Sequence, residues 1–159
     1  AVVHQLNFNP IPQNSKVLYL DGIKDPGNLG TIIRSADAFG WNNIVLAPQC
    51  VELYNPKVVQ STMGSLFHVN VHLDKDGSFI RNARSNQRSI VGADLKGEKL
   101  LNSTIPGANA VLVIGSESHG LSDAVRENIN HYVNIEQAGN AESLNAAIAA
   151  SIIMHQWGA

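Results

Sequence analysis

The sequence predicts an α/β domain whose largely parallel sheet is covered by helices on both faces. The first observation is that short apolar, β-branched runs recur along the chain, at 16–20, 43–47, 68–73, 89–93, 110–114 and 132–135. The second is that helical patterns separate several of these runs, an alternation typical of parallel strands joined by crossover helices. The third is the length, because 159 residues fit one domain that is large enough to bury a core.

The clearest predicted helix begins after the first apolar run and ends before Gly40, a typical stop residue. Asp25 and Pro26 resemble an N-cap followed by the first helical position, and Asn28 is an alternative cap. Helical spacing places five apolar residues on one face: Leu29, Ile32, Ile33, Ala36 and Phe39.

A second helix is predicted at the end of the sequence, from about Glu142 to Gln156. Its predicted apolar stripe consists of Leu144, Ile148, Ile152 and His155. Small residues lie between these positions and allow close packing, either inside the fold or against a partner chain. In the middle of the chain, 57–60 fit one helical turn and 61–65 fit a polar turn.

The charge balance argues against a surface that binds polyanions in general. The chain has 11 basic and 13 acidic residues and a formal net charge of −2. A local exception is the group formed by Arg81, Arg84 and Arg88. It fits either the solvated face of a helix or a patch that faces phosphate, and the sequence leaves both readings open.

The cysteine content and the hydropathy of the chain indicate the cellular compartment in which the protein is expected. Cys50 is a lone cysteine, and the sequence shows neither a signal peptide nor a membrane-length apolar stretch, so we expect a cytoplasmic protein that does not enter a membrane. Residues 1–15 are expected to be a linker or a processed terminus, and 16–159 the functional domain. A domain upstream of the linker is a further expectation.

Three polar patches follow apolar runs, at 25–36, 115–121 and 143–145. In open parallel sheets, ligands bind beyond the carboxyl ends of the strands, where these patches are expected to lie. Their glycines would let backbone approach a ligand, and backbone N–H groups at a helix start favour acceptors and anions. The sequence therefore predicts a polar ligand site at one edge of the sheet.

Familiar signatures of other site classes are missing from the sequence. No G-x-G-x-x-G follows the first apolar run, the segment 115–121 lacks the lysine of a phosphate-binding loop, and no His or Cys cluster has zinc spacing, so no metal is expected. A serine hydrolase remains an alternative, with Ser118 on a nucleophile elbow. Its triad would need Asp123 together with His131 or His155.

The three patches resemble the three motifs of the SpoU (TrmH-like) RNA methyltransferases, a family of the SPOUT superfamily. The matching residues are Asn28-Leu29-Gly30 with Ile33-Arg34-Ser35-Ala36, then Ile114-Gly115-Ser116-Glu117 with Gly120-Leu121-Ser122, and finally Ser143-Leu144-Asn145. Order and spacing match over nearly the whole chain, from Lys16 to Trp157. Each motif alone is modest evidence, whereas three in this order and strand context are specific.

The resemblance implies methyl transfer from S-adenosylmethionine to a ribose 2′-hydroxyl of rRNA or tRNA. It also implies a C-terminal trefoil knot, formed near 91–95, 114–121 and 135–144, and a homodimer. The catalytic positions carried over by the motifs are Asn28, Arg34, Glu117, Ser143 and Asn145. The positions carried over for the methyl donor are Gly92, Ala93, Gly115, Ile135 and Leu144.

One departure from the family pattern precedes the third motif, where Ile135-Glu136-Gln137 stands in place of the usual Ile-Pro-Met. The role of Arg34 is open in the resemblance: it is either the base that takes the hydroxyl proton or a cation that binds phosphate and developing oxyanion charge. A binding module without activity is the remaining alternative, against which the complete set of catalytic positions argues.

Overall fold

The computed structural model describes residues 6, 8–100 and 107–158, so residues 1–5 and 7 of the predicted linker lie outside the described residues. A parallel sheet of six strands forms the centre of the domain, in the order β3-β2-β1-β5-β4-β6. The strands are β1 Val17–Asp21, β2 Asn43–Leu46, β3 Asn70–Leu73, β4 Ser89–Lys99, β5 Ala110–Gly115 and β6 His131–Asn134. Each predicted apolar run overlaps one strand, which confirms the predicted α/β class, although β4 continues to Lys99, well beyond the predicted 89–93.

Helices cover both faces of this sheet. They are α1 Pro26–Ala38, α2 Pro56–Ser61, α3 Ser78–Ser85, α4 Asp123–Arg126 and α5 Ala146–Gly158. The strands carry buried side chains on both faces, since Leu18 and Leu20 belong to a core that contains α1, α2 and α5 residues, while Val17 and Tyr19 belong to a second core with α3 and α4 residues. Such two-sided burial explains why the strands read as continuous apolar runs.

Helix α1 follows the prediction closely. Asp25 is its N-cap and accepts a hydrogen bond from the Asn28 backbone N–H at 2.8 Å, and the helix ends at Ala38, just before Gly40. Gly30 faces protein rather than a ligand, because a Cβ there would lie 2.4 Å from the Cβ of Ser61 at the end of α2. This glycine therefore allows α2 to pack directly on α1.

Helix α5 differs from the prediction in its start and in its buried face. It begins at Ala146 rather than near Glu142, because Asn145 caps it: the Asn145 Oδ1 accepts from the backbone N–H groups of Ala147 at 2.9 Å and Ile148 at 3.3 Å. The face that packs into the core carries Ala146, Ala147, Ala150, Ile153, Met154 and Trp157. Ile148 and Ile152, expected in the buried stripe, are 53% and 38% exposed.

The three arginines at the end of α3 do not form one surface patch. Arg88 is buried and donates to the backbone carbonyl of Ser15. Arg84 donates to the carbonyl oxygens of Asn128 at 2.9 Å and Ile129 at 3.3 Å. Two of the three guanidinium groups thus bind backbone of neighbouring segments, which corrects the reading that treated the three as a single solvated or phosphate-facing group.

Candidate active site at the carboxyl ends of the strands

One oxygen of Glu117 brings the three polar patches together. Glu117 follows β5, and its Oε1 accepts hydrogen bonds from Asn28 Nδ2 at 2.7 Å and from Asn145 Nδ2 at 2.7 Å. The Ala146 backbone N–H, at the start of α5, donates to the same oxygen at 3.2 Å. Residues separated by 89 and 28 positions in the sequence therefore meet at one carboxylate.

The hydrogen bonds fix the orientation of both asparagine amides. The Asn145 Oδ1 must face the backbone N–H groups of α5, so its Nδ2 points to Glu117 and to Asn28 Oδ1, 3.0 Å away. The Asn28 Oδ1 accepts from Asn145, which leaves its Nδ2 to donate to Glu117. We call these three side chains, Asn28, Glu117 and Asn145, the amide–carboxylate cluster.

The Glu117 carboxylate lies where two helices begin. Asn28 lies in the first turn of α1, and Ala146 is the first residue of α5, so the carboxylate faces the beginnings of two helices. The positive ends of helix dipoles and their free N–H groups stabilise anions at such positions. Glu117 itself is exposed, and its carboxylate remains accessible to a ligand.

The loop that carries Glu117 is closed by backbone contacts. Ser116 and Gly120 form an isolated antiparallel bridge, and a Cβ at Gly115 would lie 2.4 Å from the Gly120 backbone, so this turn leaves no room for a side chain there. The buried Asp21, at the end of β1, accepts from the Ser122 backbone N–H at 2.6 Å and holds the far end of the loop. Asp21 belongs to none of the three motifs, although an acid that ends an apolar strand is a usable signal.

A cavity of about 540 Å³ opens beside the cluster. Four of the five residues expected to bind a methyl donor line it, namely Ala93, Gly115, Ile135 and Leu144, and so do Glu117 and Ser143 from the expected catalytic set. Gly92 is not among the lining residues, since a Cβ there would lie 2.6 Å from Ile129 Cδ1, inside the packed core. The cavity joins the ends of β4, β5 and β6 to the start of α5.

Polar residues that the sequence analysis did not single out also line the cavity. Arg126 binds Asp94 through NH1–Oδ2 at 2.9 Å, and the Lys96 backbone N–H donates to Asp94 Oδ1 at 3.0 Å. Burial by itself would raise the pKa of Asp94, but these two donors outweigh it and hold the pKa of that carboxyl below its usual value. Asp94 is therefore ionised at neutral pH. No motif contains Asp94, Lys96 or Arg126, so the sequence offered no signal for them.

Of the two residues that depart from the family pattern before the third motif, one lies on the surface and the other lines the cavity. The Glu136 carboxylate pairs with Lys99 Nζ on the outside of the β4–β6 edge. Gln137 instead lines the cavity, and its Oε1 is buried without a hydrogen-bond partner among the described residues. The family's proline and methionine positions thus hold one surface residue and one cavity residue in this chain.

Arg34 lies apart from the other expected catalytic residues. It is exposed on α1, six residues beyond Asn28, and it is not among the residues that line the cavity. Ser118, the nucleophile of the hydrolase alternative, hydrogen bonds through Oγ to Nδ1 of the adjacent His119 at 2.7 Å. Of the histidines that alternative needs, His131 begins β6 and His155 lies on α5, where its ring packs edge-on against Phe39.

Two classes of site find no support within 8–100 and 107–158. No three His, Cys, Asp or Glu residues among those described come together in a way that would hold a metal ion. In the same part of the chain, no helix is long and apolar enough to cross a membrane.

Comparison with known proteins links this geometry to one family. The sequence matches the SpoU rRNA Methylase family over residues 15–155. It is 33% identical over 140 residues to the 23S rRNA (guanosine(2553)-2′-O)-methyltransferase RlmP of Bacillus subtilis, covering 88% of this chain and 56% of that protein. It is 35% identical over 153 residues to the 23S rRNA (uridine(2479)-2′-O)-methyltransferase of Streptomyces viridochromogenes, covering 92% and 53%.

Solved structures give the same result. The SpoU methyltransferase AviRb of Streptomyces viridochromogenes, in complex with AdoMet, superposes with a TM-score of 0.83 at 33% identity, covering 94% of this chain and 58% of that one. An AdoMet-bound rRNA methyltransferase of Sinorhizobium meliloti superposes with a TM-score of 0.84 at 34% identity, covering 91% and 56%. The chain spans about half the length of these curated relatives. By its sequence match and its fold, the chain belongs to the SpoU rRNA Methylase family.

Proposed function

We propose that this protein transfers a methyl group from S-adenosylmethionine to a ribose 2′-hydroxyl of rRNA or tRNA. The observation that carries the proposal is the amide–carboxylate cluster at the mouth of the 540 Å³ cavity. The relatives named above support the reaction, because two are named as 23S rRNA 2′-O-methyltransferases and two related structures hold AdoMet.

The residues that line the cavity fit S-adenosylmethionine. Its volume falls within the range of about 300–1,000 Å³ that small-molecule sites occupy. Apolar side chains suited to a purine ring line much of it: Ala93, Leu95, Ile114, Val133, Ile135 and Leu144. The carboxylates of Asp94 and Glu117 suit the cationic part of the molecule, and the buried Gln137 Oε1 suits a neutral donor. When bound, S-adenosylmethionine supplies an electrophilic methyl group on a sulfonium.

The cluster would position the acceptor hydroxyl rather than take its proton. Glu117 Oε1 is already occupied by three N–H donors, so its main contribution is to fix Asn28 and Asn145 in one orientation. Methyl transfer is an in-line displacement, and holding the reacting atoms in line supplies a large part of the rate. The exposed Arg34 would bind the phosphate beside the target ribose and stabilise developing negative charge, because a guanidinium keeps its positive charge at physiological pH.

A homodimer is part of this proposal. α1 and α5 lie side by side, joined by a hydrogen bond between Ser151 Oγ and Ser35 Oγ at 2.7 Å. Beside this contact, Ile148 and Ile152 leave an exposed apolar face on α5. A second copy that covered this face would bury both isoleucines close to the helix that carries Arg34.

The C-terminal trefoil knot of the family is likewise proposed for this chain. The three segments that would form it, 91–95, 114–121 and 135–144, all contribute residues to the same cavity. Segment 91–95 lies in β4, which pairs with β5 on one side and with β6 on the other, so it is a neighbour of both strands that the other two segments follow. This proximity is what a knot around the methyl-donor cavity requires.

The activity is tested by transfer of labelled methyl groups from S-adenosylmethionine to rRNA and tRNA that lack modification. We expect transfer by the wild-type protein, and Arg34→Ala should abolish it while S-adenosylmethionine binds with nearly the wild-type Kd in calorimetry. Wild-type turnover in Arg34→Ala would overturn the role of Arg34. Binding of S-adenosylmethionine with no transfer to any RNA would favour a binding module. Mapping 2′-O-methylation in cells with and without the gene would then identify the nucleotide.

A further inference from the structure

Gln137 places a buried acceptor without a partner in the wall of the cavity. Its Oε1 has no hydrogen bond to the described residues. Buried polar atoms in folded proteins are nearly always paired, and leaving one unpaired destabilises the fold. An acceptor at such a position, inside the candidate ligand cavity, is explained if a ligand donates to it.

The neighbouring residues hold Gln137 in place. The ladder between β4 and β6 pairs Glu98 with Val133 and Lys99 with Asn134, just before Gln137. Glu136, the residue before Gln137, is held on the outside by its ion pair with Lys99. The chain therefore enters the segment after β6 with Glu136 turned to the surface and Gln137 turned to the cavity.

Other polar side chains of the same wall already have partners. The Asn134 Nδ2 donates to the carbonyl oxygens of Gly97 at 2.6 Å and Leu95 at 3.3 Å. Asp94 is occupied by Arg126 and by the Lys96 backbone. Among the described residues that line the cavity, Gln137 is the one whose side chain has a buried nitrogen or oxygen atom without a partner.

The chemistry of the surroundings selects the kind of donor. A neutral carboxamide oxygen near apolar side chains such as Ile135 and Leu144 suits a neutral N–H donor on a flat, apolar ring. An ammonium group would instead be stabilised by the carboxylates of Asp94 and Glu117 in the same cavity. Of the donors on S-adenosylmethionine, the exocyclic amine of adenine is both neutral and attached to a flat, apolar ring.

We propose that Gln137 Oε1 accepts a hydrogen bond from the exocyclic amine of the adenine of the bound methyl donor. The assignment rests on the proposed function, and it adds a side-chain contact at the position where this chain departs from the family pattern. Gln137 thereby contributes to the affinity for adenosine-containing ligands and takes no part in the methyl transfer itself.

The test is a double-mutant cycle between the side chain and the ligand, measured by calorimetry. The two ligands are S-adenosylhomocysteine and the same compound with hydrogen in place of the exocyclic amine. The two proteins are wild type and Gln137→Met, which keeps the length of the side chain and removes the acceptor. For each protein, the ratio of the two Kd values measures how much the exocyclic amine improves binding. We expect this ratio to be about fivefold to twentyfold larger for wild type than for Gln137→Met.

Two further measurements make the result decisive. Glu136→Ala, which breaks the neighbouring surface ion pair, should keep the wild-type ratio of the two Kd values. Without ligand, Gln137→Met should unfold at the same temperature as wild type or higher, since it removes an unpaired buried oxygen, and S-adenosylhomocysteine should stabilise it less. Gln137→Ala provides a second variant should methionine fail to fit.

Equal ratios in wild type and Gln137→Met would overturn the contact while leaving the proposed function intact. Failure of the wild-type protein to bind S-adenosylhomocysteine at all would overturn both. If the ratio of the two Kd values also fell in Glu136→Ala, the effect would belong to the loop as a whole. That result would contradict a specific role of Gln137.

Discussion

Asn145 combines two tasks that a single substitution can separate. Its Oδ1 caps α5, and its Nδ2 donates to Glu117 and Asn28. Asp is as good an N-cap as Asn but has no donor, and at this position it would place a second carboxylate beside Glu117. The amide–carboxylate cluster would then lose the hydrogen bonds that orient it, while the helix keeps its cap.

We therefore expect Asn145→Asp to lower methyl transfer by about a hundredfold or more, with the free energy of unfolding changed by less than about 1 kcal/mol. Asn145→Ala loses the cap too and should be less stable than wild type by about 1 kcal/mol. Urea denaturation and the labelled-methyl assay measure the two effects. Full activity in Asn145→Asp would show that the Nδ2 contacts do not matter for the reaction.

Only some residues of the candidate site could be predicted from the sequence. Asn28, Glu117 and Asn145 could be found because each follows an apolar run and stands in a motif, and the structure joins all three. Asp94 and Arg126 could not be singled out as cavity residues, since they reach the cavity through an irregular part of β4 and through the end of α4, and Gln137 stood out only as a departure from the family pattern. Contacts of that kind depend on the register of distant strands, which a local pattern does not contain.

At the scale of elements, the contact between α1 and α2 depends on the absence of a side chain at Gly30. An added Cβ would lie 2.4 Å from Ser61 Cβ and 2.9 Å from the carbonyl oxygen of Val58, so α2 would have to move. We expect Gly30→Ala to lower the free energy of unfolding by about 1–3 kcal/mol. The matched control is Gly107→Ala, where a Cβ meets nothing within 4 Å. Equal urea midpoints for the two variants would contradict this account.

The link between α1 and the 3₁₀ turn Ser65–Phe67 should depend on pH. The hydrogen bond from the Ser65 hydroxyl is the main cause that holds the pKa of Asp37 below its usual value; burial opposes it, and His68, 3.0 Å away, adds to the lowering. The pKa is lower in the folded chain, so this stabilisation is complete above the ordinary carboxyl pKa of about 3.9 and is lost as pH falls through the lowered value.

Ser65→Ala removes the largest cause of that shift. We expect the variant to be less stable than wild type at pH 7, and the difference to narrow as pH falls through the lowered pKa of Asp37, below which this carboxyl is protonated in both proteins. Urea denaturation at pH 7 and at successively lower pH measures this difference. A difference that stays constant would assign the whole effect to the loss of a buried hydroxyl and none to the charge of Asp37.

The buried face of α1 could be predicted from the sequence, whereas the buried face of α5 could not. In α1, the large apolar residues form one stripe and that stripe is buried, so the 3.6-residue period was sufficient. In α5, nearly every residue is apolar or small, and the period does not choose between the isoleucine side and the alanine side. Close approach to α1 selects the alanine side, because small side chains let the two backbones come together, and Ile148 and Ile152 are left outside.

For the whole molecule, the sequence predicted the strands but not their order. Each strand overlaps a predicted apolar run, yet the neighbours β5 and β1 are separated by about ninety residues, and β6 lies outside β4 rather than beside β5. That order places the middle of β4, together with the ends of β5 and β6 and the segments that follow them, around one cavity. The positions of the candidate site residues in the chain were thus predictable, while the cavity that they share follows from the topology.

The exposed isoleucines on α5 lead to a prediction about assembly. Ile148 and Ile152 lie one turn apart and are 53% and 38% exposed, next to the helix that carries Arg34. If a second copy covers this face, Ile148→Glu combined with Ile152→Glu should give a monomer in analytical ultracentrifugation, because burying a carboxylate without a partner is costly. Methyl transfer should fall with the dimer, while S-adenosylmethionine still binds the separate cavity. Leu73→Glu is the matched control, since Leu73 is 54% exposed on the edge strand β3, away from α5. A wild-type sedimentation coefficient for the double variant would place the dimer contact elsewhere.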